Sequence, residues 1–176
     1  MDIASASARP DRSRALRKTA AWSAVYLVSQ ANIARTLGTA APKLLRIQTS
    51  RSAADYRDVL AGMTPDERAG YRAHYPLDMI HPAIYAVALR AGAELLDAHR
   101  PQSARMRRVL ATAPVVSAAG DYVENVVGWY LLDHPEAITD GRVRATSAVS
   151  TVKWALALGQ LAYLGAGLGR AALRRR

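Results

Sequence analysis

Two stretches constrain this chain more than any other feature. Residues 145–169 contain a single charged side chain, Lys153, and residues 109–120 contain none. Runs of this kind have to be buried against other apolar elements or against lipid. Most of the basic residues lie outside them, in the N-terminal stretch, the connections and the C-terminus. Basic flanks around apolar segments fit a membrane protein better than a nucleic-acid binder, even at a formal net charge of +10.

The expected fold is therefore all-α: a four-helix transmembrane bundle with a short helical hairpin between helices 1 and 2. Spans are expected at about 17–38, 77–97, 109–132 and 145–169. The first is the weakest, because its apolar part runs only from Ala20 to Val28 before Gln30, Asn32 and Arg35 intervene. With Arg9, Arg12, Arg14, Arg17 and Lys18 ahead of it, it is read as a retained span, with a cleaved signal as the alternative. Residues 1–16 are expected to be a disordered basic tail, 17–170 the membrane domain, and 171–176 a basic C-terminal tail.

Between the first two spans, Thr64-Pro65-Asp66-Glu67 has the form of a capping box with proline at the first helical position. Ahead of it, Tyr56, Val59, Leu60 and Met63 share one helical face. Arg and Lys number five in the N-terminal tail, four in the connection after helix 2 and four at the C-terminus. They number six in 42–76 and two in 133–144. That bias predicts a multi-pass plasma-membrane protein with both termini cytoplasmic.

Ionisable residues inside apolar helices are costly and mark candidate sites. The candidate polar centre comprises Asp78, His81, Arg90, Asp121, Glu124, Asn125 and Lys153. From a rise of about 1.5 Å per residue, Glu124 and Lys153 each lie roughly 12 Å inside the same end of helices 3 and 4, and are expected to pair. Asp121 lies on the same face as Glu124, three residues away. Arg90 is expected to reach Asp121 or to extend to the surface. The bland alternative is that these groups only brace weakly apolar helices. Gly165 and Gly169 suggest a close-packing face on helix 4.

The chain has no cysteine, so disulfides and thiolate metal sites are excluded. His74, His81, His99 and His134 lack metal-ligand spacing, and no nucleotide loop or Ser-His-Asp set is present. No metal, cofactor or nucleic-acid partner is expected, and no oligomeric state follows from the sequence. The expected partners are membrane lipids and a small apolar ligand. Two rival functions remain: a lipid- or sterol-modifying membrane enzyme or carrier using paired carboxylates, and a soluble helical interaction module.

The pattern Tyr71-Arg72-Ala73-His74-Tyr75-Pro76-Leu77-Asp78, His81-Pro82, Tyr85, Pro114, Asp121-Tyr122-Val123-Glu124-Asn125 and Lys153-Trp154 resembles a group of uncharacterised bacterial four-span membrane proteins. The resemblance covers most of the chain after about residue 40. At the level of fold alone, four helices with intramembrane carboxylates are similar to the sterol-isomerase-like (EXPERA) membrane proteins. Both resemblances imply an all-helical fold with carboxylates turned inward, and neither assigns a reaction to a named residue here.

Overall fold

The computed structural model describes residues 11–173. Helix α1 (Arg12–Leu37) starts where the Asp11 carboxylate accepts from the Ser13 amide, and ends at Gly38. Gly38 has a φ of 50°, a backbone setting that costs a glycine little and other residues more. A 3-10 turn (Gly38–Ala40) leads into α2 (Ala41–Gln48). Helix α3 (Ala53–Ala61) is capped by Ser52. Helix α4 (Pro65–Asp78) opens on the capping box, with both reciprocal Thr64–Glu67 hydrogen bonds formed.

Three long helices follow: α5 (His81–His99), α6 (Ala104–Asp133) and α7 (Asp140–Leu173). Only Met79 and Ile80 separate α4 from α5. Pro82 falls in the first turn of α5, where a missing amide leaves no helical bond unmade.

Helix α5 is the centre of the bundle and packs on α1, α6 and α7. Helices α5, α6 and α7 run up, down and up. Helix α1 lies along α5 and meets α7 where Ala15, Leu95, Ala98 and Leu168 cluster at one end. The densest core is at the opposite end, where α2, α3 and α4 cap the bundle. There Tyr56, Val59, Leu60, Tyr71 and Tyr75 pack against Ile33, Leu37, Leu131, Ile138 and Val143. Fully burying a large apolar side chain contributes roughly 1.5–3 kcal/mol, so this cap is a main source of stability. The face shared by Tyr56, Val59, Leu60 and Met63 is buried in it. Gly128 of α6 is a true close approach, since a Cβ there would stand 2.6 Å from the Tyr75 hydroxyl.

This architecture corrects the four-span reading. The described residues form seven α-helices rather than four spans and a hairpin. No helix among them is long and apolar enough to cross a membrane. Helix α5 is interrupted by Arg90, Glu94 and Asp97, and α6 by Asp121 and Glu124. Helix α7 falls short for another reason. It is long and carries little charge, but Ala, Gly, Ser and Thr dilute its leucines and valines. The transmembrane fold and the plasma-membrane placement with cytoplasmic termini lose their basis together.

Apolar side chains are also less inward-facing than the sequence suggests. Val115, Val116, Val123 and Val126 of α6 and Val152, Leu158 and Leu161 of α7 are exposed. Helix α1 begins at Arg12, within the stretch expected to be a tail, and residues 1–10 and 174–176 lie outside the described residues. The Gly165 and Gly169 pair makes no close contact. Gly167 does, against the side chain of Leu96.

Candidate functional site

The site begins with a polar stripe along two adjacent helices. On α6, Ser117, Asp121 and Glu124 recur at three- and four-residue spacing and so share a face. On α7, Ser150 and Lys153 do the same. All five are buried. The Lys153 Nζ lies 2.9 Å from the Asp121 Oδ1 and 3.0 Å from the Glu124 Oε2. One ammonium thus serves two carboxylates.

Neighbours satisfy the rest of the cluster. The Ser150 hydroxyl donates to the Glu124 Oε2 at 2.6 Å. The Gln48 amide donates to the other Glu124 oxygen. Trp154 Nε1 donates to the Gln48 Oε1 at 3.2 Å. The Ser117 hydroxyl donates to the Lys153 backbone carbonyl at 3.0 Å and lies 3.1 Å from the Tyr85 hydroxyl. A buried charge is costly unless paired and hydrogen-bonded, and here all three charges have partners. Burial works against the Lys153 ammonium, but Asp121 and Glu124 outweigh it and hold its pKa above the ordinary value. Burial raises the Asp121 carboxyl, and Lys153 opposes that rise.

Asp78 sits beside this triad at the end of α4. Burial and then the Asp121 charge push its carboxyl up to about 7. Among the described residues its one charged-type neighbour within ion-pair range is His74, whose Nε2 is 4.0 Å from the Asp78 Oδ2. His74 is fully buried and is held near pKa 4 by that burial. Its Nδ1 bonds to the Tyr71 carbonyl, which makes Nδ1 the protonated nitrogen and Nε2 a bare acceptor. That Nε2 has no hydrogen-bond partner. The Asp78 carboxyl, 4.0 Å away, stands beyond hydrogen-bond range of it.

Asn125 donates to the backbone carbonyl of Asp78 at 2.9 Å and so ties α6 to the α4–α5 junction. His81 pairs with the Ser29 hydroxyl at 2.9 Å and lies between the rings of Tyr26 and Tyr85. Burial, then Lys153, lowers its pKa to about 4.

Part of this cluster forms one end of a cleft of about 610 Å³ between α1 and α7, with α5 as its floor and α2 across its top. Asp78, His81, Tyr85, Asp121, Lys153 and Trp154 line the polar end. Ile33, Leu89, Leu158, Leu161, Leu164 and Leu168 line the apolar length. Of the residues expected at the centre, six gather here directly or through one neighbour. Arg90 does not: it is exposed on α5 and approaches neither Asp121 nor the cleft.

The candidate polar centre leaves out Gln48, Tyr26, His74, Tyr85 and Trp154, although the last three stand in the resemblance pattern. Ser150 was findable, being three residues before Lys153 on a helix. Gln48 was not, because it arrives from a separate short helix. Among the described residues no group of three or more His, Asp or Glu is placed to hold a metal ion. Comparison with family models, curated proteins and solved structures finds no match for this chain.

Proposed function

We propose that this protein binds a small apolar or lipid-like molecule in the α1–α7 cleft, with the molecule's polar head against Asp78, Asp121 and Lys153. The observation that carries the reading is the cleft itself: about 610 Å³, apolar along its length and closed at one end by convergent polar groups. That is the usual form of a small-molecule site. Two carboxyls, Asp78 and Asp121, stand with one ammonium and the neutral His81 at the polar end. A head that donates hydrogen bonds, such as a hydroxyl, is favoured over a carboxylate.

The test is binding of an environment-sensitive long-chain alcohol probe to the purified protein. Ala157 lines the cleft, and Ala157→Trp fills it. The expected result is saturable binding by the wild type, weakened roughly tenfold or more in the variant, or about 1.4 kcal/mol. Equal binding by both would place the molecule elsewhere and defeat the reading.

One observation favours a second reading, in which the bound molecule is also transformed. A carboxyl with a pKa of about 7 facing a cleft is suited to general acid–base chemistry. In that case Asp78→Asn keeps probe binding and abolishes solvent-proton exchange into the ligand. Exchange that persists in Asp78→Asn would leave binding alone as the function.

A further inference from the structure

Basic residues scattered along the sequence converge at the end of the bundle opposite the cap. Helix α1 brings Arg12, Arg14, Arg17 and Lys18 there. The α5–α6 connection and the first turn of α6 bring Arg100, Arg105, Arg107 and Arg108, and α7 brings Arg170. The convergence is fixed by contacts. Arg12 Nε donates to the Ala98 carbonyl at 2.9 Å, and the Tyr163 hydroxyl donates to the Gln102 Oε1 at 2.7 Å. Ala15 and Leu168 pack on Leu95 and Ala98 in the same place.

Acidic neutralisation is slight. Lys18 pairs with Glu94 and Arg107 with Asp97, while Asp11 caps α1. Arg14, Arg17, Arg105, Arg108 and Arg170 are exposed. They have no ion-pair partner among the described residues. Large apolar side chains stand among them: Leu16 is 57% exposed, Val109 47% and Leu173 71%.

We propose that this end is a docking face for an anionic phospholipid surface, on which the protein lies without crossing it. Charge complementarity selects a dense array of phosphates. The interspersed Leu16, Val109 and Leu173 select lipid over duplex nucleic acid, because exposed aliphatic side chains gain by entering the headgroup boundary and gain nothing at a phosphate backbone. The face is independent of the ligand reading. The two fit together in space, since Thr19 and Leu168 bring the apolar length of the cleft down to this end. Each basic residue near an anionic leaflet strengthens attachment by roughly fivefold.

The test uses flotation of the full chain with phosphatidylcholine vesicles containing about 30% phosphatidylserine, against pure phosphatidylcholine. Three exposed, unpaired arginines are replaced together as Arg17→Gln, Arg105→Gln and Arg108→Gln. A matched control replaces Arg46→Gln, Arg51→Gln and Arg144→Gln at the capped end, with the same change in net charge. The expected result is attachment to the anionic vesicles only, weakened about a hundredfold in the first variant. In the control it changes by less than about threefold, and raising the salt to about 0.5 M releases the wild type. Equal losses in the two variants would mean that net charge alone matters, and would overturn the proposal. So would attachment to both kinds of vesicle alike, or displacement from vesicles by short duplex DNA at equal phosphate.

Discussion

Replacing Lys153 with methionine isolates what the buried triad contributes. The side chain keeps most of its length and loses its charge, so Asp121 and Glu124 stay buried with no cation between them. Removing one partner of a buried ion pair costs about 3–5 kcal/mol, and here two carboxylates lose the same ammonium. For a chain of this size, that corresponds to a fall in Tm of roughly 6–20 °C. The remedy available to the variant is to protonate a carboxyl, and burial already raises that of Asp121. The loss should therefore be larger near pH 7.5 than at pH 5.

Guanidinium unfolding at the two pH values measures it. Glu124→Gln alone leaves the 2.9 Å contact of Lys153 with Asp121 and should cost less, about 1–3 kcal/mol. Adding Glu124→Gln to Lys153→Met should recover part of the loss, and adding Asp121→Asn as well should recover most of it. A loss below about 1 kcal/mol at pH 7.5, or one of equal size at pH 5, would refute the claim that these three charges act as a unit.

Asp78 should show the opposite sign to an ordinary acid. Its folded pKa of about 7 lies above the usual 3.8, so its contribution is full below about pH 4 and is lost as pH climbs through 7. Asp78→Asn should then gain on the wild type by roughly 2–4 kcal/mol at about pH 8 and not at about pH 4, read from paired unfolding curves. His74 and His81, held near 4, should show ring resonances that do not titrate above about pH 5.5, while an unperturbed histidine moves near 6.5. Gly128→Ala should cost about 1–3 kcal/mol through overpacking against Tyr75. Tyr75→Phe in that background should return part of it, as the clash is with the hydroxyl.

The parts of the fold legible in sequence were those governed by local rules. Thr64 and Glu67 announce a helix start by spacing alone. Tyr56, Val59, Leu60 and Met63 announce a buried face. Depth counted along antiparallel helices puts Lys153 level with Glu124, and the two are 3.0 Å apart. Other features depend on what tertiary packing does with a helix once made. Arg90 shares α5 with His81 but points to solvent, and residue depth carries no information about azimuth. The α1–α7 cleft is a gap between non-neighbouring helices, and a gap has no pattern in the chain. The reading of four spans took low charge as sufficient for lipid. In α7 the alanines and glycines that lower charge also lower the apolar surface per residue, and charge counts miss that second effect.

The place of α1 in the bundle has a consequence during synthesis. Its hydrogen-bonding partners on α5 lie 72 and 86 residues downstream, as the Thr19–Ala91 and Arg12–Ala98 bonds record. At about 5–20 residues per second, α1 spends roughly 4–17 s outside the ribosome before the helix it rests on has been made. Helices α5 and α6 each pack on the helix that follows next in the chain, so each meets a first neighbour sooner. During that interval the side of α1 that meets α5 lacks its native neighbour, while its C-terminal end can already meet α4, and the uncovered side is open to capture by a chaperone.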